Sequence, residues 1–200
     1  MYAQLKDVDG NEYDTVKIGT QVWMAENLDV SRFRNGDPIT EAETREQWDE
    51  AAKEGKPAWC YYHRDSDRVT IYNKLYNWYA VNDPRGLAPA GWRIPTKQDW
   101  ATLINNSGGD NKSGIQMKSS TEWDGAHSNG LNCLPGGYRN REGDFEHAGK
   151  IGSWWTATQN GPEDAWSVSL GTGTPAASTS FDTKEIGLSV ICVKDQMQAP

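Results

Sequence analysis

Three histidines, three cysteines and 28 carboxylates are the groups in this 200-residue chain that could ligate a metal or move a proton. Such chemistry needs several of them to converge, and spacing is the first test. His63, His127 and His147 stand in polar stretches, no two at i,i+4, and no His-Glu-x-x-His occurs. Cys60, Cys133 and Cys192 lie too far apart for a zinc site. As a set of three they leave at least one thiol free, and one bridge could form in any of three pairings. The pairs Asp65/Asp67, Glu142/Asp144 and Glu163/Asp164 have acid–base potential, but neighbouring carboxylates carry little information in so acidic a chain. Asp7, Asp9 and Asn11 alternate like the start of a calcium loop. Ile18 stands where an EF-hand needs its glutamate, so the stretch reads as a turn. The turn Asn160-Gly161-Pro162-Glu163-Asp164 makes Asn160, Glu163 and Asp164 the calcium candidates. Leu134-Pro135-Gly136-Gly137-Tyr138 lacks the Lys-Ser/Thr of a phosphate loop and reads as a tight turn. With no serine nucleophile elbow either, the expectation is no catalytic residue and no required cofactor.

Composition narrows the partners. A formal charge of −8 with scattered basic residues disfavours a phosphate backbone, so nucleic acid is not expected. No apolar run reaches the ~20 residues that a spanning helix needs, so direct membrane insertion is not expected. Met1-Tyr2-Ala3 opens no basic, apolar leader, and an export signal is expected to lie outside this sequence. Ten Trp and eight Tyr against three Phe point to half-buried rings with polar tips, suited to an irregular core and to binding faces.

The elements that must position these groups are short. Asp9-Gly10-Asn11 predicts a hairpin between 3–8 and 13–18, and Gly19-Thr20 a turn before the strand Gln21–Met24. Thr40-x-x-Glu43 predicts a capped helix ending at Gly55-Lys56-Pro57, with Trp48, Ala51 and Ala52 inward, and 38–56 reads as an exposed helical insertion. Trp59–Tyr62 is strand-like, and 73–82 reads as a buried helix. Thr96 and Asp99 predict a second capped helix with Trp100, Leu103 and Ile104 inward. Beyond Gly108 helical periodicity stops. Strands are expected at 130–134, 152–157, 165–170, 179–182 and 188–194. In 166–170 the alternation sends Trp166, Val168 and Leu170 one way and Ser167 and Ser169 the other. The fold class is α+β, loop-rich, with two main helices and small antiparallel sheets, in a single domain over 1–200.

A set of motifs then resembles one family, the Fibrobacter succinogenes major paralogous domain of exported bacterial proteins. They are Asp9–Tyr13 with Thr15–Gly19, Gln21–Leu28, Trp59–Tyr62, Leu75–Val81, Gly91–Thr96 with Trp100, Leu134–Arg139, Trp154-Trp155 and Gly187–Val193. The resemblance implies a C-type-lectin-like fold. Arg93-Ile94-Pro95-Thr96 with Asp99-Trp100 is also similar to the formylglycine-generating enzymes, a branch of that fold. Their closely spaced cysteine pair is missing here, because Cys133 and Cys192 lie far apart. The Glu-Pro-Asn and Trp-Asn-Asp motifs of calcium-dependent lectins are missing as well.

The fold is shared with retroelement-diversified variable proteins, whose C-terminal part varies on a constant framework. By that likeness Trp154, Trp155, Ala165, Trp166, Leu170, Lys184, Gly187 and Cys192 would be framework. Gln159, Asn160, Ser167, Ser169, Thr172, Thr174, Ser178, Ser180 and Asp182 would be contact residues, with Trp155 and Trp166 beside them. The expected function is non-catalytic recognition of a glycan or protein by a secreted or surface-anchored bacterial protein. An oxidoreductase-type enzyme of the formylglycine-generating branch and a structural spacer are the alternatives.

Overall fold

Turn residues recur so closely along this chain that strands stay short, and among the described residues they gather into five small sheets. The computed structural model describes residues 5–62 and 72–195. His63 and the Asp65/Asp67 pair lie outside the described residues.

Strands β1 (Leu5–Lys6) and β2 (Glu12–Tyr13) pair around Asp7. Its carboxylate accepts the Asp9 and Asn11 N–H groups and the Asn11 amide at 2.9 Å, and the Tyr13 hydroxyl at 2.7 Å. The Asp7 carboxylate is therefore spent on closing the turn, while that of Asp9 reaches out to the Ser31 N–H and hydroxyl and to Arg32. Strand β3 (Thr15–Ile18) turns at Gly19, where φ is +60°, into β4 (Gln21–Met24). β4 pairs with the far end of the chain, β14 (Val193–Lys194), which also pairs with β8 (Trp92–Arg93).

A second sheet runs β5 (Thr40–Glu41), β6 (Ala58–Tyr61), β7 (Lys74–Tyr76), with β5 and β6 parallel. This pairing takes Thr40 and Glu41 away from the expected helix start. Helix α1 (Arg45–Lys53) begins instead at Thr44, in a capping box with Gln47. Its inner stripe is Trp48, Ala51 and Ala52 as expected, but the helix is docked rather than standing free. Trp48 is 1% exposed, and its indole N–H donates to the Glu185 carbonyl at 3.0 Å. The buried helix expected at 73–82 is β7 followed by a single turn, α2 (Trp78–Val81). Asn77 divides them, because its side chain accepts from the N–H groups of Ala58 and Ala80 at 3.0 and 3.1 Å.

Helix α3 (Lys97–Asn106) starts in the expected Thr96/Asp99 box and buries Trp100, Leu103 and Ile104. Past Gly108 the chain does return to helix: a 3₁₀ turn at Gly109–Asn111 and α4 (Ser113–Met117). These turns are too short to leave a periodic signature. The hairpin of β9 (Tyr138–Arg139) and β10 (Phe145–Glu146) precedes the longest sheet, β11 (Ile151–Asn160), β12 (Asp164–Gly171) and β13 (Ser178–Thr183), in that order. Two expected strands shrink. Residues 130–134 keep only a bridge from Lys118 to Cys133, and 188–194 keeps β14 plus bridges from Leu188 to Tyr76 and from Ser189 to Trp154. Leu188 and Ser189 are shared between two neighbours, so neither can extend a regular ladder. The class is α+β with four short helices among the described residues and small, mainly antiparallel sheets.

Nine of the ten Trp are buried, so their first role is packing. They also tie the sheets together. The indole N–H of Trp78 donates to Thr156 O at 2.9 Å, that of Trp155 to Tyr76 O at 2.8 Å, and that of Trp154 to Asn27 Oδ1 at 2.7 Å. Asn27, itself fully buried, donates through Nδ2 to Tyr72 O at 3.2 Å and Ser189 Oγ at 3.3 Å. Replacing it with alanine strands the Trp154 N–H and the Ser189 hydroxyl without water. Asn27→Ala is expected to lower unfolding free energy by about 2–4 kcal/mol. The urea midpoint measures it, and an unchanged midpoint would remove Asn27 from this role.

Candidate functional site

The β11–β12–β13 sheet presents the residues singled out in the sequence, and its two edges differ. Along β11 the outer edge is closed by bridges to Gly137 and Ser189 and by the Ala157 N–H, which donates to Pro95 O at 2.8 Å. β13 is the outermost strand at the other edge, paired to β12 from Ser169–Ser178 to Asp164–Thr183. Ser178, Thr179, Ser180 and Phe181 on it are all exposed. Helix α3 backs the face that carries Trp154, with the Trp100 and Trp154 rings 6.1 Å apart.

This framework sorts the predicted contact residues by depth. Trp155 and Ser167 are fully buried, so neither can touch a ligand directly. For Ser167 this corrects the outward assignment. Alternation fixes which face a residue shares, while depth across the sheet decides exposure. Ser167 lies in the middle strand, between Trp155 and the exposed Ser180. Its hydroxyl donates to Asp182 Oδ2 at 2.5 Å. Ser169 is half-buried and shares a 3.0 Å hydrogen bond with Ser153. Thr172 is exposed but takes the Trp123 indole N–H at 2.9 Å, and Thr174 donates to Gly171 O at 2.7 Å. Gln159 is exposed and folds back onto Gly161 O at 2.6 Å. Ser178 and Ser180 remain open, and Asp182 stands half-buried between them and Ser167.

Two residues that the spacing did not single out lie on the other face of the sheet from Ser178, Ser180 and Asp182. Phe181, 52% exposed, lies edge-on to the half-buried Trp166, with ring centres 5.8 Å apart. Lys97, at the start of α3, holds its ammonium 3.0 Å from the centre of the Trp166 ring. Phe181 shares one face of β13 with Thr179 and Thr183, across from Trp166 on β12, a period-two pattern that could have flagged it.

The calcium candidates meet a cation of the chain's own. Lys184, buried beneath Trp78, donates its ammonium to the carbonyls of Gly161 and Pro162 at 3.3 and 2.5 Å. Those carbonyls are the backbone oxygens that a metal at Asn160, Glu163 and Asp164 would draw on. Among the described residues no three His, Cys, Asp or Glu side chains gather as a metal set.

Cys60, Cys133 and Cys192 are all unpaired and buried. Burial pushes the Cys60 and Cys133 thiols up to about 12 and raises Cys192 too, which disfavours the nucleophilic thiolate.

The Ser167–Asp182 pair yields an asymmetric test. Removing Asp182 leaves a hydroxyl without water, whereas removing Ser167 leaves a half-exposed carboxylate that water can reach. Asp182→Ala is expected to cost about 1–2 kcal/mol of stability and Ser167→Ala less than about 1 kcal/mol. Thermal unfolding of both variants measures the difference, and the opposite order would contradict the burial.

Comparison with known proteins gives one family match and no significant match to any curated protein or solved structure. The matching family model, the Fibrobacter succinogenes major domain, covers residues 16–194. That span runs from β3 to β14, the two strands that flank β4 in its sheet, and takes in the β11–β12–β13 sheet whole. The chain belongs to the Fibrobacter succinogenes major domain family.

Proposed function

We propose that this protein is a non-catalytic recognition domain of an exported bacterial protein, and that it binds a glycan or a protein through the outer strand β13 and the Trp166–Phe181 pair beside it. One observation carries the reading. Small polar side chains and an exposed aromatic ring occupy the outermost strand of a sheet whose inner strands are held by buried indoles. Phe181 is the most exposed large hydrophobic side chain among the described residues, and with Trp166 beside it offers ring surface to a ligand. Rigid backing lowers the ordering cost of binding, and short Ser and Thr side chains lose little entropy on contact.

The contact set is the outer edge of β13, with Ser178 and Ser180 on one face, Thr179 and Phe181 on the other, and Trp166, Asp182 and Gln159 at its rim. Trp155 and Ser167 are support beneath it. A C-type-lectin-like arrangement fits the same features: the two ends of the chain meet in one sheet, with a long loop-rich excursion between them. The division between buried framework and exposed polar strand parallels retroelement-diversified proteins of that fold. A surface location on a bacterium follows from the family resemblance. The buried, unpaired thiols favour binding over the oxidoreductase alternative.

The test is retention on a glycan array, and on immobilised cell-surface protein extract, with and without calcium. Phe181→Ala combined with Ser180→Glu is expected to cut retention by about tenfold or more, with an unchanged thermal midpoint. Retention that survives both changes would remove this strand. Blank arrays and extracts for the unaltered chain would favour the spacer role.

A further inference from the structure

A separate cleft of about 640 Å³ opens far along the chain from β13 residues, between the β3–β4 hairpin and the loop after α4. Its size falls within the range of small-molecule sites, roughly 300–1,000 Å³. Asp14 and Thr15 come from the start of β3, Glu26 from just beyond β4, and Thr121, His127 and Asn132 from the loop opposite. The backbone beneath them is fixed. Ala25 N–H donates to Asp14 O at 2.9 Å and Asn132 N–H to Ala25 O at 2.7 Å, which joins the two walls. The Thr121 hydroxyl is held against Ser119 Oγ at 3.1 Å. Gly130 permits the close approach, since a Cβ there would come within 2.7 Å of Val16 Cγ2.

We propose that this cleft binds a neutral, hydroxyl-rich ligand of the saccharide class. The lining contains no lysine or arginine, so an anion finds no counter-charge. Among the described residues neither Asp14 nor Glu26 is in an ion pair, and Glu26 is held only by the Asp14 N–H at 3.5 Å. Both carboxylates are thus able to accept hydrogen bonds from a ligand. A simple cation would take only oxygen acceptors, from the carboxylates, the threonine hydroxyls and the Asn132 carbonyl. A polyol also uses the donors, the hydroxyl protons and the Asn132 side-chain N–H groups, because each sugar hydroxyl both donates and accepts. Burial, with Asp14 alongside, raises the Glu26 carboxyl above its ordinary range, the direction expected of a carboxylate lacking a partner. This site stands independently of the β13 reading.

Amide NMR titration of the whole chain tests it with cellobiose, maltose, lactose and N,N′-diacetylchitobiose, and with spermidine and inorganic phosphate as charged controls. At least one disaccharide is expected to give saturating shifts at Asp14, Thr121 and Asn132. Glu26→Gln and Asn132→Ala are each expected to weaken that binding by about fivefold, the loss of roughly one net hydrogen bond. Phe181→Ala should leave it unchanged. If a variant misfolds, the titration of the unaltered chain decides alone. The proposal is overturned if no disaccharide shifts these amides, or if spermidine alone does. Shifts confined to Ser178–Thr183 would also overturn it, while leaving the strand reading standing.

Discussion

The amide of Asn27 holds three distant parts of the chain at once. Its carbonyl oxygen takes the Trp154 indole N–H, its nitrogen reaches Tyr72 and Ser189, and its backbone carbonyl accepts from the Asn73 side chain at 2.9 Å. Short strands cannot hold one another through ladders alone, since most contribute only two to four residues. Side-chain hydrogen bonds from buried Trp, Asn and Lys replace the missing ladder length. Low local dielectric makes each one costly to break.

Buried cations follow the same logic. Arg139, 1% exposed, donates to the carbonyls of Ala42 and Thr44 at 2.8 Å and to that of Gly143 at 3.1 Å, and it lies over Trp48. Lys184 clamps the Gly161–Pro162 turn while resting on Trp78. Arg139 and Lys184 pair a ring face with backbone oxygens, whereas the buried Lys74 and Lys118 each keep a carboxylate as well, Asp29 and Asp124. The outcome is a stiff inner sheet and, at its margin, a strand with few obligations to the core. That division of labour is what makes β13 suited to contact.

Much of this was legible in the sequence, and the failures are physically specific. The α3 cap and its apolar stripe were readable because box and periodicity agree over ten residues. Strand β12 is readable from alternation, and the candidates 152–157 and 179–182 fall within β11 and β13. The start of α1 was not, because Thr40 offers a plausible cap until β5 pairing claims it, and Thr44 offers an equally good one four residues later. Residues 73–82 mislead because an almost unbroken apolar run suits a buried strand or a buried helix, and Asn77, a good N-cap by type, marks the division only once its side chain is seen accepting from the Ala80 N–H. Among the contact residues, Ser167 is buried, and alternation says nothing of depth, while Phe181 falls outside the set because that set is defined by small polar side chains. The cleft lay beyond reach: its walls are joined by backbone hydrogen bonds between segments about a hundred residues apart, which no local pattern encodes.

The central claim is that the outer strand is separable from the framework that carries it. The most direct measurement is the thermal unfolding of one variant carrying Ser178→Thr, Thr179→Lys, Ser180→Arg and Phe181→Thr, which rewrites the chemistry of β13 with strand-compatible side chains. The account predicts an unfolding free energy within about 1 kcal/mol of the unaltered chain, as for exposed positions. A loss as large as that from breaking a buried side-chain hydrogen bond would contradict it and would make β13 part of the framework.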